Sequence, residues 1–156
     1  MLKRFSFILL ALFPAAIHLS GQTPSDYTID PAKSISQYIH SVWQTEDGLP
    51  QNTVTSVLQT QDGYLWLATL EGLVRFDGAV FTVFNKRSIP TLKSNRVWCL
   101  LEDRNSNLWI GTENGGLTKY HDNKFVTFDT THGLLSNTVY SLYEDRRGIL
   151  WIGTSE

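Results

Sequence analysis

Two neighbouring carboxylates, Glu102-Asp103, recur as Glu144-Asp145. General acid–base chemistry needs two carboxylates aimed at one substrate. Adjacent residues of a strand point to opposite faces, so these pairs cannot converge on one substrate, and their recurrence assigns them to the hairpin that follows. The segment Asp103-Arg-Asn105-Ser-Asn107 places oxygen ligands at alternate positions, like the start of a calcium loop. It lacks the sixth-position glycine, and Asn114 stands where the bidentate glutamate belongs. A hairpin turn is the reading preferred there. His18, His40, His121 and His132 form no pair with another His or Cys at metal-ligand spacing. No Gly-x-Ser-x-Gly elbow and no Gly-x-x-x-x-Gly-Lys phosphate loop occurs. Ser56, Cys99 and Ser141 fall at equivalent positions of a repeat and read as packing residues. The sequence therefore predicts no catalytic residue, no metal site and no cofactor for this chain, which leaves recognition as its chemistry.

Thirteen Lys+Arg stand against 15 Asp+Glu in 156 residues, a formal charge of −2. That balance gives no basic patch for nucleic acid. The lone Cys99 excludes an internal disulfide framework and a thiolate-built zinc site. An apolar content of 42% with 12% aromatics argues against disorder. At the start, Lys3 and Arg4 precede Phe5-Ser-Phe-Ile-Leu-Leu-Ala-Leu-Phe13, with Pro14 next. A basic start and a short apolar run ending in small residues describe a secretory signal peptide over residues 1–21, with cleavage expected before Gln22. Without Lys3 and Arg4 the remainder carries 11 basic and 15 acidic residues, a charge of −4.

The elements behind any site come from an internal repeat. Asn52-Thr-Val-Thr-Ser-Val-Leu leads to Trp66-Leu-Ala-Thr69, Asn95-Arg-Val-Trp-Cys-Leu-Leu to Trp109-Ile-Gly-Thr112, and Asn137-Thr-Val-Tyr-Ser-Leu-Tyr to Trp151-Ile-Gly-Thr154. The asparagines lie 43 and 42 residues apart, and so do the tryptophans. The markers of the repeat are Trp66, Trp109 and Trp151, Gly111 and Gly153, and Thr69, Thr112 and Thr154. Each unit reads as four short strands: Val54–Thr60, Tyr64–Thr69, Leu73–Phe76 and Val80–Phe84 in the first, Val97–Asp103, Leu108–Thr112, Leu117–Tyr120 and Phe125–Phe128 in the second. Val139–Asp145 and Ile149–Thr154 open a third. Within the second strand Trp109 and Gly111 share one face, and both faces are mostly apolar. Such sheets must be covered on both sides, and a ring beside a glycine gap suits interlocking with a neighbour. The expected fold is all-β, an incomplete β-propeller of four-stranded antiparallel blades preceded by a signal-peptide helix. A β-sandwich is the rival, but it gives no reason for the period.

The pattern Gly-Leu-Pro-x-Asn, Val-x-Ser-Leu, Glu-Asp, Leu-Trp-Ile-Gly-Thr, Gly-Gly-Leu resembles the two-component regulator propeller repeat. The stretch Val42-Trp-Gln-Thr-Glu-Asp-Gly-Leu-Pro-Gln-Asn52 through Phe76-Asp77-Gly78 resembles the opening of periplasmic sensor domains of that kind. The resemblance covers about Tyr38 to Thr154; Ala68 departs from the family's glycine, and Leu92-Lys93-Ser94 replaces the usual Gly-Leu entry. It implies a ligand-sensing propeller joined through a membrane helix to a histidine kinase, a diguanylate cyclase or a related output domain. The full-length protein would then be periplasmic and anchored in the inner membrane, and it is a candidate dimer.

The expected organisation is a signal peptide (1–21), a leader (22–37), an orphan strand (38–44), a first blade (47–89), a second (90–132) and half of a third (133–156). Trp43 and Phe128 each stand five residues before a glycine, Gly48 and Gly133. Residues 38–44 thus read as a fourth strand lacking its first three, which in a closed ring completes the last blade. The partners would be the remaining blades, the output domain and a polar small molecule or saccharide. The ligand-binding candidates are rim residues Glu71, Glu113 and Asn114, with Asn52, Asn95 and Asn137, whose plainer role is turn-making. An exported propeller enzyme, of lyase or glycosidase type, and a protein-binding scaffold are the alternatives.

Overall fold

The computed structural model describes residues 41–156, together with the backbone pair Ile8–Leu9. The leader and most of the signal peptide lie outside the described residues. Where a helix was expected, Ile8–Leu9 forms a two-residue strand, β1, antiparallel to β2, Ser41–Val42. Of the orphan strand, 38–40 also lie outside the described residues.

The first blade is a four-stranded antiparallel sheet of β3 (Val54–Gln59), β4 (Leu65–Thr69), β5 (Gly72–Phe76) and β6 (Phe81–Phe84), in that order. The second repeats it with β7 (Val97–Glu102), β8 (Leu108–Thr112), β9 (Leu117–His121) and β10 (Lys124–Phe128). β11 (Val139–Glu144) and β12 (Leu150–Thr154) pair as the third repeat's first two strands. No α-helix occurs among the described residues. First strands lie beside one another, β3 against β7 and β7 against β11, so the sheets fan outward from a common inner edge.

The expected strands match these to within a residue or two at each end. First strands end one residue early because Thr60, Asp103 and Asp145 belong to the hairpin turns, where their N–H groups donate to the carbonyls of Tyr64, Asn107 and Ile149. Those three residues also hold the tryptophans. Trp66 Nε1 donates to Thr60 Oγ1 at 3.2 Å, Trp109 Nε1 to Asp103 Oδ2 at 2.8 Å and Trp151 Nε1 to Asp145 Oδ2 at 3.3 Å. Asp103 also accepts from Asn105 N and from Asn107 N and Nδ2, which closes the hairpin turn.

Between the blades, Trp66, Ala68 and Leu73 of the first sheet bury against Val97, Leu108 and Ile110 of the second. Trp66 stacks on Phe84 at 5.6 Å and meets Tyr120 at 5.2 Å. The glycine of the Trp-x-Gly-Thr motif is a spatial requirement. A Cβ on Gly111 would lie 2.3 Å from Cys99 Sγ and 2.9 Å from Val139 Cγ1 of the next blade. Ala68 carries a methyl group at that position in the first blade, fully buried. The motif's threonines close the turn that follows: Thr69 Oγ1 donates to Gly72 O and Thr112 Oγ1 to Gly116 O, at 2.7 and 2.8 Å. Gly111→Ala is expected to destabilise the chain by about 1–3 kcal/mol through overpacking. Urea unfolding checks this, and an unchanged midpoint would refute the close-approach account.

Candidate functional site

Antiparallel order sends every β4–β5 and β8–β9 loop, and every connection between blades, to one rim. All six expected ligand-binding residues lie there. The three repeat asparagines do the same work: the Oδ1 atoms of Asn52, Asn95 and Asn137 accept the backbone N–H of Thr45, Lys86 and Thr130, each at 2.9 Å. Each ties the start of a first strand to the chain leaving the previous outer strand. Glu113 Oε2 receives Arg96 Nε at 2.7 Å, and its N–H donates to Arg96 O. Asn114 adopts a left-handed φ of 58°, donates its N–H to Thr138 Oγ1 at 3.1 Å and accepts that hydroxyl at Oδ1. Glu113 and Asn114 therefore hold the rim together. The Glu71 carboxylate takes no hydrogen bond or ion pair among the described residues and is exposed.

Two features were not expected from the sequence. Residues 45–47 and 130–132 are single 3-10 turns closed by left-handed Gly48 and Gly133, with φ of 109° and 98°. Their strand-like flanks hide them from a reading by alternation. Asp129, which caps the second turn, accepts from Lys93 Nζ and Thr131, and lies 2.8 Å from His132 Nδ1. The Lys93 ammonium beside it, then Thr131 and His132, hold the Asp129 carboxyl far below the ordinary aspartate range.

The second feature is a bulge near the start of each first strand, at Thr55, Trp98 and Tyr140. A bulge leaves one residue unpaired in the ladder and re-aims its side chain. Trp98 and Tyr140 meet edge to face at 5.9 Å on neighbouring inner strands, and Tyr140 is 52% exposed. Trp98 Nε1 is buried with no hydrogen-bond partner among the described residues. The available signal was that this position varies in type within an otherwise regular repeat.

Both glutamates of the Glu-Asp pairs act outside their own hairpin, which corrects the expectation. Glu102 Oε2 accepts Gln61 N at 2.9 Å, and Glu144 accepts Arg104 N at 2.9 Å and Arg104 Nε at 2.7 Å. Each reaches the hairpin turn of the preceding blade, while Asp103 and Asp145 serve their own. For Asp103, burial raises the pKa, but hydrogen bonds from Trp109 and Asn107 outweigh it and leave the carboxyl below its ordinary range. Burial pushes the Cys99 thiol up to about 11.

An apolar cleft of about 250 Å³ lies between Trp109, Leu117, Phe128, Leu134, Leu150 and Ile152. The matching space between the first two blades is filled by Tyr120 and Phe125, which touch Trp66 and Phe84. The cleft is the counterpart of the space that Tyr120 and Phe125 fill between the first two blades. Among the described residues no group of three His, Cys, Asp or Glu side chains is placed to hold a metal ion, and no helix is long and apolar enough to cross a membrane.

Comparison with known proteins agrees with this architecture. Residues 48–71, 91–114 and 133–156 match the two component regulator propeller family, and the chain carries three of its repeats. Among solved structures, it is similar to the extracellular domain described as that of a hybrid two component system, BT3049, from B. thetaiotaomicron. The identity is 31% and the TM-score 0.64, over 77% of this chain and 17% of that one. It also matches the extracellular domain of BT4673 from B. thetaiotaomicron at 22% identity and a TM-score of 0.42, over 76% of this chain and 22% of that one. The chain thus spans about a fifth of the length of these structures. No curated protein matches the sequence.

Asp129→Asn is expected to lower the thermal midpoint at pH 7, because the Lys93 pair loses its charge. The carboxyl's folded pKa is depressed, so its stabilisation is complete above the unfolded value and is lost as pH falls. The gap between wild type and variant therefore narrows below about pH 4. Thermal unfolding from pH 7 to pH 2.5 checks this, and a constant gap would contradict it.

Proposed function

We propose that this chain is part of an exported, ligand-sensing β-propeller of a transmembrane signalling receptor, with a polar small molecule or saccharide bound above the rim. The observation that carries the reading is the combination on one rim of the free Glu71 carboxylate and the re-aimed Trp98–Tyr140 pair. Aromatic faces take the apolar side of a ligand while a carboxylate accepts its hydroxyl hydrogens. Export is supported by the basic and apolar start of the sequence and by the extracellular origin of the similar domains. The output would be supplied by a kinase or cyclase domain elsewhere in the receptor, which would be held in the inner membrane. Recognition, and not turnover, is this chain's part in that scheme.

The orphan strand fits the same reading. Trp43 lies 5.3 Å from Phe76 and 6.2 Å from Phe81. Phe84 of the first blade lies 6.4 and 5.6 Å from the equivalent Tyr120 and Phe125. The similar spacing supports reading Trp43 as an outer-strand aromatic of another blade, one that this segment would complete in a closed ring.

The test is a thermal-shift screen of the full receptor against polar small molecules and oligosaccharides, with hits measured by calorimetry. Joint replacement of Glu71, Glu113 and Asn114 by alanine is expected to weaken binding at least about tenfold, the loss of one hydrogen bond to a charged group. Because Glu113 and Asn114 also hold the blades, Glu71→Gln is run beside it and is expected to weaken binding alone. Unchanged affinity in both variants would sink the rim site.

A further inference from the structure

The loop between β8 and β9 carries the chain's one Asn-Gly dipeptide, Asn114-Gly115. It lies in residues 112–116, a segment one residue longer than the matching 69–72 of the first blade. In such a dipeptide the glycine nitrogen can attack the asparagine side-chain carbonyl, because glycine has no Cβ to shield it. Asn114 is exposed, and its side-chain amide nitrogen has no partner among the described residues. The Gly115 N–H takes part in no hydrogen bond there either. Nucleophile and leaving group are both unblocked.

What separates them is the backbone. Asn114 has a left-handed φ of 58°, a conformation that brings Cβ toward the residue's own carbonyl oxygen. That oxygen and the next nitrogen stand on opposite sides of the carbonyl carbon, so the Asn114 side chain is turned away from Gly115 N. Thr138, just before β11, holds this arrangement. Its hydroxyl accepts the Asn114 N–H at 3.1 Å and donates to Asn114 Oδ1 at 3.2 Å. Gly116 is fixed as well, its N–H donating to Asn137 O at 2.8 Å. Both ties run from the second repeat to the third.

We propose that Asn114-Gly115 is a self-modification site, closed by Thr138 and opened when the β8–β9 loop leaves the third repeat. Once Asn114 rotates out of the left-handed conformation, Gly115 N loses its proton to solvent hydroxide and bonds to Asn114 Cγ. The Cγ–Nδ2 bond breaks, and Nδ2 takes up a proton and leaves as ammonia. Water then hydrolyses the cyclic imide at either carbonyl, giving aspartate or isoaspartate, with no change of oxidation state. Either product adds a carboxylate to the rim next to Glu113. Isoaspartate also puts one more carbon into the main chain of a loop without slack. A Cβ on Gly115 would already lie 2.7 Å from Ser94 Cβ, and one on Gly116 would strike Phe128 O. The isoaspartyl loop therefore cannot restore both ties, and the opening becomes permanent.

Peptide mass spectrometry of the purified protein, incubated at neutral pH, follows the amide-to-acid mass change at Asn114 and separates the isoaspartyl peptide. The native protein is expected to react at least about tenfold more slowly than the same protein unfolded in urea. Thr138→Val is expected to raise the native rate about two- to tenfold, the worth of one hydrogen bond. Thr138→Ser keeps the hydroxyl and is expected to react at the wild-type rate. Asn105-Ser106, in the β7–β8 hairpin, is the reference for general unfolding and is expected to react equally in all three proteins. Amide exchange at Gly116 is expected to be slow in fresh protein and fast in the isoaspartyl form. A native rate equal to that in urea would overturn the proposal. So would a Thr138→Val rate equal to wild type, a rise at Asn105 as large as at Asn114, or a Gly116 amide that stays slow in the isoaspartyl form.

Discussion

The indole N–H of each second-strand tryptophan is held by the residue that ends the first strand. This bond fixes where a bulky ring stands on a sheet of only four to six residues per strand. With Trp109 pinned to Asp103, its ring lies against Phe128, and the glycine two residues on faces the next inner strand. That glycine in turn allows Val139 to approach β8 closely enough to bury completely. Indole position, sheet spacing and the packing of first strands beside one another are thus links of one chain.

Alternation of side chains gives the Glu-Asp pair its two jobs. Asp103 turns back to its own hairpin and tryptophan, and Glu102, one residue earlier, points to the blade before. Neighbouring residues of a strand cannot share a face, so a dipeptide carries both the closure of a blade and its attachment to the previous one. The rim obeys the same economy. Asparagines that begin the inner strands bind the incoming chain, and Arg96, Glu113 and Thr138 join successive loops. Among the described residues, the Glu71 carboxylate stays unpaired on the rim, and Tyr140, packed edge to face on Trp98, is exposed.

Most of the fold was legible because two markers kept one period and each strand alternated cleanly. Strand ends were misjudged by a residue where the last expected residue belongs to the hairpin turn, its N–H donating to a carbonyl four residues on, as at Thr60 and Asp145. The 3-10 turns at residues 45–47 and 130–132 were not legible, since three residues closed by a glycine leave no periodic trace. The bulges at Thr55, Trp98 and Tyr140 escaped for a related reason: a bulge shifts register without changing composition. Of the site, the rim location followed from topology. The division of rim residues between structure and free surface did not, because Glu71 and Glu113 look alike in sequence. They differ only in that Arg96 stands beside the second.

The pinning of the indole is the claim on which the rest turns, and a double-mutant cycle measures it. Asp103→Ala, Trp109→Phe and the double variant are compared with wild type by urea unfolding. Because the pair is a hydrogen bond to a charged acceptor, the predicted coupling is at least about 1 kcal/mol, with the double variant less destabilised than the sum of the single ones. Effects that add to within about 0.3–0.5 kcal/mol would mean that aspartate and tryptophan act independently, and would contradict the account.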